Sequence, residues 1–372
     1  MGAIAAALAA WLFAALIYQS AAWVALARLL RRTEEPRDSP GPLPSCTILR
    51  PLRDAPPGAE ELLRAIGALG ASVIAGTESD VGPAAAVVRR VAGRLPPGRL
   101  TLNTGPAPSG SNRKVANLIR MLPEAKGEIV IFMDGDVGAP PSYLPAVLSP
   151  FADPRVGLVT CPYRSVGGRA LSDRLDVLLT NTGFLPSVAL AASLEGVKFA
   201  LGATIAIRRS ALDEIGGLEP FLDLLADDHA LGSRVREAGH EIVLAPVLLD
   251  HHVGSSVWRE RWRRHLRWAR TTRAVRPGGY AGTIVTHGLV PAIGLALIPG
   301  GPLGGAAALA AWAAVRLGGV AWLSEPLGLR ALDLLLIPAA DAIAFAIFVG
   351  GLMGRTVHWG GLTLRVEGGA LR

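Results

Sequence analysis

The stretch EIVIFMDGDV at residues 128–137 decides the fold class, because it joins a buried strand to a pair of acids. Ile129 to Met133 form the short apolar run that a central parallel strand shows. Asp134 and Asp136 follow it, with one glycine between them. In an extended chain, residues two apart point to the same side, so both carboxylates could bind one cation. The alternative interpretation is a solvated Asp-Gly turn.

Apolar runs alternate with helical patterns around this stretch, which predicts an α/β domain with a mostly parallel sheet. Ligands of such domains bind beyond the carboxyl ends of the strands, where the two acids lie. The predicted strands are CTILRPL (46–52), ASVIAG (71–76), LTLN (100–103), EIVIFM (128–133), VGLVTCP (156–162) and ATIAIRR (203–209). The predicted helices lie near 59–69, 83–94, 113–122, 141–150, 171–190 and 228–238.

An N-terminal segment is apolar enough to cross a membrane. Hydrophobic residues make up 51% of the 372-residue chain, which is high for a soluble protein. Residues 4–27 contain no charge and reach the roughly 20 residues that a spanning helix requires. Basic residues follow this segment, at Arg28, Arg31 and Arg32. We therefore predict an uncleaved anchor, with the chain that follows it in the cytoplasm.

Three further apolar stretches lie near 283–299, 304–323 and 332–353. Three full crossings would put the C-terminus outside, whereas its arginines favour the inside, so one stretch is expected to be re-entrant or interfacial. Buried helices of a soluble domain are the alternative. The predicted parts of the chain are an anchor (1–30), a Pro-rich linker (31–45), a catalytic domain (46–255), an amphipathic interfacial helix (256–281), C-terminal membrane segments (282–354) and a cytoplasmic tail (355–372).

Much of the positive charge is concentrated in one short stretch. The net charge is +7, and eight arginines lie between Arg259 and Arg276. Such a cluster argues for an anionic partner, either a lipid surface or a phosphate, and we expect no nucleic-acid partner. In WRERWRRHLRWAR (258–270), apolar residues recur every three or four positions, as in a helix that lies in the membrane interface. An amphipathic core helix is the alternative.

Three other stretches carry candidate site residues. In GTESD (76–80), Asp80 follows the second strand and could meet a ribose or base, unless it is a simple loop residue. In SGSNRKVANL (109–118), Lys114 is placed to meet a phosphate at a helix N-terminus, with a capped surface helix as the alternative. In LADDHALG (225–232), paired acids precede a helix, where an acid could cap the helix and a buried one could serve as a general base.

Together these stretches resemble the ceramide glucosyltransferase family, family 21 of the membrane-bound, inverting glycosyltransferases with a GT-A nucleotide-sugar-binding domain. The resemblance runs from TILRPL (47–52) to HWGGLTLRV (358–366). The run LRWARTTRAVRPGGYAGTIVTH (266–287) is similar to the bacterial branch associated with hopanoid lipids, which implies a multi-pass protein of a bacterial inner membrane. The separated aspartates of the family match Asp80, Asp134, Asp136 and Asp228, and its (Q/R)-x-x-R-W motif matches Arg264, Arg267 and Trp268.

The resemblance implies transfer of a sugar from a UDP-sugar to a lipid hydroxyl, with inversion. It implies a Mg²⁺ or Mn²⁺ ion on Asp134 and Asp136, and Asp228 rather than Asp227 as the general base. Leu185 stands where animal members place a histidine before a proline, so ceramide and hopanoid acceptors both stay open. The implied donor-binding residues are Asp80, Lys114, Asp134, Arg264, Arg267 and Trp268, of which the last three also have implied catalytic roles.

Three other functions are alternatives. VLLDHH (247–252) resembles the DHH motif of metal-dependent phosphoesterases, which with the DGD acids could bind two metals. A processive polysaccharide synthase shares the D-x-D and Q-x-x-R-W motifs, but Arg264 replaces the usual glutamine and the predicted spans are too few for a secretion channel. A non-catalytic membrane adaptor would not need the acids that this chain carries.

Overall fold

The computed structural model describes residues 2–34, 41–55, 58–254, 257–298, 302–359, 362–367 and 370–371. The described helices are α1 (Gly2–Glu34), α2 (Ala59–Ala68), α3 (Pro83–Ala92), α4 (Arg113–Met121), α5 (Tyr143–Leu148), α6 (Leu171–Leu179), α7 (Leu185–Glu195), α8 (Arg209–Glu214), α9 (Asp227–Glu237), α10 (Trp258–Val275), α11 (Pro277–Gly282), α12 (Leu289–Ala296), α13 (Pro302–Trp322) and α14 (Ile337–Leu352). The described strands are β1 (Cys46–Pro51), β2 (Ser72–Gly76), β3 (Leu100–Asn103), β4 (Ile129–Met133), β5 (Val137–Gly138), β6 (Val156–Thr160), β7 (Tyr163–Val166), β8 (Thr204–Arg208), β9 (Glu241–Leu244), β10 (Leu249–His252), β11 (Thr356–Trp359), β12 (Leu362–Glu367) and β13 (Ala370–Leu371).

The central sheet has seven strands in the order β3-β2-β1-β4-β8-β6-β9. Only β8 runs antiparallel to its neighbours, β4 and β6, while the other pairings are parallel. The predicted α/β class with a mostly parallel sheet is therefore confirmed. Strand β4 lies between β1 and β8, and all five of its residues are buried, as its apolar run predicted.

Alternate residues of β4 build the two halves of the core. Ile129, Ile131 and Met133 pack on one face of the sheet with α2, α3 and α5. Val130 and Phe132 face the other side, where α4 and α9 cover them. This alternation follows from the two-residue period of an extended chain, and it leaves the carboxyl end of β4 open between the two layers.

A second, smaller sheet begins after the DGD turn. Its three strands have the order β5-β10-β7, with β10 antiparallel to β5 and parallel to β7. The pairing places His251 of β10 opposite Val137 of β5, directly after the DGD turn. The strand prediction did not include β5, β7 or β9, because they are short and their stability comes from pairing with distant strands.

Apolar helices form a second body of the chain. Among the described residues, four helices are long and apolar enough to cross a membrane, namely Gly2–Thr33, Leu171–Glu195, Leu303–Trp322 and Ala331–Leu352. The second of these differs from expectation, since it was predicted as a helix of the catalytic domain. It consists of α6 and α7 joined by a π-helical turn, and α7 packs against α1. The predicted stretch 283–299 contains α12, whose eight residues are too few for a crossing.

The ends of the predicted parts fall partly outside the described residues. Helix α1 continues to Glu34, and of the predicted linker the structure describes 31–34 and 41–45. The predicted tail contains β11, β12 and β13, which pair as an antiparallel sheet. The domain boundaries themselves stay predictions.

Candidate active site

Asp134 and Asp136 lie in the turn that follows β4. The buried guanidinium of Arg50 on β1 holds this turn by donating from Nη2 to the carbonyl oxygen of Gly135 at 2.8 Å. A Cβ at position 135 would lie 2.7 Å from the terminal methyl Leu52 Cδ2, so a larger residue here would require the Leu52 side chain to shift. The side chains of Asp134 and Asp136 are 35% and 41% exposed, so both carboxylates are accessible from solvent.

The two acids line a cleft of about 660 Å³, which is within the range of small-molecule sites. The cleft lies between the carboxyl ends of β1, β2 and β4 and the start of α4. Glu78 lines it, whereas Asp80, two residues further along the same loop, is exposed and is not among the lining residues. The role predicted for Asp80 therefore stays a prediction, and Glu78 is a candidate that the sequence analysis did not name.

Lys114 interacts with two groups of acids, one after β4 (Asp134) and one at the start of α9 (Asp227 and Asp228). Its Nζ lies 2.6 Å from Asp134 Oδ1 and donates to the carbonyl oxygen of Gly202 at 3.0 Å. Burial lowers the pKa of Lys114, but the negative charges of Asp134, Asp227 and Asp228 outweigh this effect and raise the pKa well above its ordinary value. Lys114 is therefore a permanent positive charge in the middle of the acids.

Helix α4 starts where the sequence predicted a loop-to-helix transition. Asn112 is its N-cap, and Asn112 Oδ1 accepts a hydrogen bond from Val115 N at 3.0 Å. The amide Nδ2 of Asn112 donates to Leu224 O at 2.8 Å, which ties the cap to the loop before α9. These bonds place Lys114 in the first turn of α4, facing the cleft.

The environments of the two DGD acids differ. Burial raises the pKa of Asp134, Lys114 offsets part of this, and the negative charge of Asp136 adds to it. Burial also disfavours the charge on Asp136, but a hydrogen bond and positive charge from His251, with a contribution from Arg50, lower the pKa of Asp136 overall. The pKa values of the two acids are therefore shifted in opposite directions.

His251 is a site residue that the sequence analysis assigned only to the phosphoesterase alternative. His251 Nε2 lies 3.3 Å from Asp136 Oδ2, and Nδ1 lies 3.3 Å from Ser165 Oγ. Its neighbours on β10 point the other way, as successive residues of a strand do: Asp250 pairs with Arg164 at 2.7 Å. The DHH run is therefore divided between two faces of one strand, which does not suit a two-metal phosphoesterase centre.

Asp227 and Asp228 occupy the first turn of α9, which begins at Asp227. Burial is the main cause that raises the pKa of both acids, while Lys114 lowers it in part. Asp228 Oδ1 accepts a hydrogen bond from His229 N at 2.8 Å. A Cβ on Gly202 would lie 3.1 Å from Asp228 Oδ2, so glycine at that position leaves room beside the carboxylate.

Helix α10 carries the R-x-x-R-W residues to the same region. Burial and the neighbouring Arg264 lower the pKa of Arg267 to about 10, while Asp227, Asp228 and Asp134 act to raise it, so Arg267 lies within electrostatic reach of the acids. The guanidinium of Arg264 lies over the Trp268 ring, 5.4 Å from its centroid. The Trp268 side chain is 39% exposed.

Other arginines of α10 make contacts within the protein, which the sequence did not predict. Arg270 Nε donates to Met353 O at 3.2 Å, and Arg273 donates to the carbonyl oxygens of Leu352 and Gly354, so both satisfy the end of α14. Arg261 is fully buried. The interfacial location of α10 stays a prediction, and its exposed charges include Arg259 and Arg263.

The carboxylates of Asp134 and Asp136 are candidate ligands for a divalent cation. Carboxylate oxygens are the ligands that Mg²⁺ and Mn²⁺ prefer, and Asp134 and Asp136 both line the cleft. Within the described ranges, no group of three or more His, Cys, Asp or Glu side chains is arranged to hold a metal ion.

Comparison with known proteins identifies the family. The sequence model of glycosyl transferase family 21 matches residues 5–371, nearly the whole chain. This chain belongs to glycosyl transferase family 21. As a member of that family it is a glycosyltransferase, and its apolar helices are consistent with association with a membrane. The resemblance seen in the sequence is therefore confirmed at the level of the family.

Two solved structures are similar to this family 21 chain to different extents. A mannosyltransferase from Pyrobaculum calidifontis, solved with GDP-mannose and Mn²⁺, is 24% identical, with a TM-score of 0.54 over 94% of this chain and 98% of that one. A glucosyl-3-phosphoglycerate synthase from Mycobacterium tuberculosis is 14% identical, with a TM-score of 0.36 over 74% of this chain and 83% of that one. The first comparison supports the GT-A fold.

Proposed function

We propose that this glycosyltransferase transfers a sugar from a UDP-sugar to the hydroxyl of a lipid, of the ceramide or hopanoid type, with inversion at the sugar. One observation carries the proposal. Lys114 pairs with Asp134 at the end of β4 and interacts electrostatically with Asp227 and Asp228 at the start of α9, so groups suited to a diphosphate and a group suited to a hydroxyl surround one ammonium group.

Asp134 and Asp136 would hold the divalent cation. When bound, the cation neutralises charge on the leaving diphosphate, and Mg²⁺ and Mn²⁺ are both suited to that role. The mannosyltransferase from Pyrobaculum calidifontis was solved with Mn²⁺, which supports the assignment. His251 would orient Asp136 through the contact of 3.3 Å to Oδ2, while Lys114 pairs with Asp134.

Asp228 is the proposed general base. Its carboxylate accepts the proton of the acceptor hydroxyl while that oxygen attacks the anomeric carbon from the face opposite the diphosphate. The bond between the sugar and the phosphate oxygen breaks with its electron pair going to the nucleotide, so the configuration inverts. The raised pKa of Asp228 makes it a stronger base than an ordinary aspartate. As the pH falls, a growing fraction of the molecules carries a protonated Asp228 that cannot act as a base.

Positive side chains compensate the charge that develops on the leaving nucleotide. Lys114 and Arg267 interact electrostatically with the acids, and Arg264, whose guanidinium lies over the Trp268 ring, interacts with Arg267. Charge-assisted hydrogen bonds from these groups would strengthen as the diphosphate departs. Asp80 stays a proposed contact to the ribose or base, with Glu78 as the nearer candidate in the cleft.

The acceptor is proposed to approach from the apolar helices. Phe184, in the π-helical turn between α6 and α7, is 38% exposed, and its ring lies 5.2 Å from that of Tyr163. The Tyr163 ring in turn lies 5.8 Å from His251, beside the DGD acids. An exposed aromatic side chain at this position suits an amphiphilic acceptor. Leu185 is buried among the apolar helices, so it offers no polar contact to an acceptor.

The proposed location is the cytoplasmic face of a bacterial inner membrane. Arg28, Arg31 and Arg32 at the end of α1 support this orientation, since basic residues stay on the cytoplasmic side.

The test is a transfer assay with the purified full-length protein. UDP-glucose, other UDP-sugars and GDP-mannose are each incubated with sphingoid, ceramide and hopanoid lipids, and the products are analysed by mass spectrometry and by NMR for anomeric configuration. A β-linked glycolipid from an α-linked donor supports the proposal. Retention of configuration would exclude the inverting mechanism, and transfer only to a growing polysaccharide would favour the synthase alternative.

A further inference from the structure

Two acids on α6 hold α10 through a buried set of ion pairs. Asp176 Oδ2 contacts Arg261 Nη1 at 2.6 Å and also Arg264 Nη2, while Asp176 Oδ1 lies 2.6 Å from His265 Nε2. Asp173 Oδ1 contacts Arg261 Nη2 at 2.5 Å. The Asp176 side chain is 2% exposed and that of Arg261 is fully buried. One buried carboxylate thus meets three basic side chains of a single helix.

The spacing of these partners fixes both the rotation and the position of α10 along its axis. Arg261, Arg264 and His265 stand at positions i, i+3 and i+4, so they lie on one face of the helix. Trp268 continues that face one turn later, and Arg267 stands beside it. Because an α-helix is stiff over two turns, contacts at 261, 264 and 265 determine where Arg267 lies relative to Asp134, Asp227 and Asp228.

Arg264 is only partly satisfied by this arrangement. Its Nη2 contacts Asp176, and its guanidinium lies over the Trp268 ring at 5.4 Å. Its Nε is buried and has no hydrogen-bond partner within the described part of the chain. A buried guanidinium N–H without a partner is costly unless a ligand satisfies it, and an anionic oxygen is the natural acceptor.

We propose that Asp173 and Asp176 are positioning residues for the transfer reaction, which set the register of α10 so that Arg264 and Arg267 meet the diphosphate of the donor. The inference rests on the proposed function, because it takes the donor diphosphate as the ligand of the two arginines. Neither acid needs to touch the donor. Replacing a buried ion cluster of this kind by apolar residues often preserves stability, so a purely structural role would not require this set of charges.

The test compares Asp176→Asn with a matched control, Asp333→Asn, in the full-length protein. Asp333 is also a buried acid that pairs with an arginine of α6, Arg174, but it holds the segment before α14 instead of α10. Each variant is measured for kcat and donor KM, for binding of UDP with Mn²⁺ by calorimetry, and for amide hydrogen exchange in residues 258–275.

Asp176→Asn is expected to lower kcat about 100-fold, as displaced positioning groups do, and to speed exchange in α10. Asp333→Asn should leave exchange in α10 unchanged, and Asp176→Glu should recover part of the kcat. If Asp176→Asn and Asp333→Asn lose the same activity, or if activity falls while exchange in α10 is unchanged, the positioning role is wrong. If Asp176→Asn does not fold, His265→Asn replaces it, with the same readouts and a smaller loss in the same direction.

The two proposals can fail separately. If the wild-type protein transfers no sugar in any donor and acceptor combination, the proposed function fails. Hydrogen exchange and UDP binding then still decide the positioning role, because neither requires turnover. Unchanged UDP affinity and unchanged exchange in Asp176→Asn would overturn it.

Discussion

Lys114 Nζ lies 2.6 Å from Asp134 Oδ1, and the same ammonium group donates to Gly202 O, beside Asp228. A single positive charge therefore joins the proposed metal-binding acid to the loop that borders the proposed base. The contact joins the start of α4 to the end of β4, two elements that are adjacent only because the parallel sheet brings their ends together.

Lys114→Met should reduce kcat by about 100-fold or more, because it removes a positive group beside the leaving diphosphate and leaves the acids uncompensated. Lys198→Met is the control, since Lys198 is an exposed lysine whose nearest acid, Glu195, lies 3.9 Å away. Turnover and UDP affinity are measured for both variants. Activity within threefold of wild type for Lys114→Met would contradict the role of this residue.

Turnover should require a divalent cation. EDTA is expected to abolish transfer, and added Mg²⁺ or Mn²⁺ to restore it, because the carboxylates of Asp134 and Asp136 provide oxygen ligands at the diphosphate. Asp136→Ala should be nearly inactive although folded. Asp153→Ala serves as the control, as Asp153 makes an exposed ion pair with Arg155 at 2.7 Å. Full activity in the chelator would disprove the metal site.

Asp228→Asn should lose 10²–10⁴-fold in transfer activity, the usual contribution of a general base, and should bind UDP nearly normally. The substitution retains an oxygen that can accept from His229 N, so the start of α9 should be preserved. Asp227→Asn should lose far less. If Asp228→Asn is active and Asp227→Asn is inactive, the general base is Asp227 instead of Asp228. If both variants are active, the proposed mechanism is wrong.

The acid side of the pH profile should reflect Asp228. A general base works only when it is deprotonated, and burial raises the pKa of Asp228 above its ordinary value. The kcat/KM of the free enzyme should therefore fall with decreasing pH at a point above about 3.9, the ordinary pKa of aspartate. A profile that stays flat down to that pH would show that no group with a raised pKa acts as the base.

Removing one partner of the Arg316–Asp341 pair should destabilise the apolar helices. Arg316 Nη2 lies 2.6 Å from Asp341 Oδ1, and Nη1 donates to Thr182 O at 2.5 Å in the π-helical turn. Arg316→Met should lower the unfolding free energy by about 3–5 kcal/mol, because the buried carboxylate loses its partner. Thermal unfolding in detergent measures the effect. The double variant Arg316→Met/Asp341→Leu should recover most of the lost unfolding free energy. If the double variant is as unstable as Arg316→Met, this account is wrong.

The sequence alone determined the local features of this protein. The apolar run at 129–133 predicted β4, the loop before Lys114 predicted the start of α4, and the acids at 227–228 predicted a helix start, since each depends on neighbouring residues. The order of motifs predicted the family. Such signals lie within one element, so they do not depend on which distant segments come into contact.

Only the tertiary structure decided which of these residues meet. Asp176 and Arg261 are separated by 85 positions, and nothing in their own neighbourhoods indicates that they pair. Strand pairing likewise decided that β10 turns His251 toward Asp136. The tertiary structure also decided that Glu78 lines the cleft and which groups bind the arginines of α10. Ion pairs and site geometry depend on distances between remote segments, and a local pattern does not contain them.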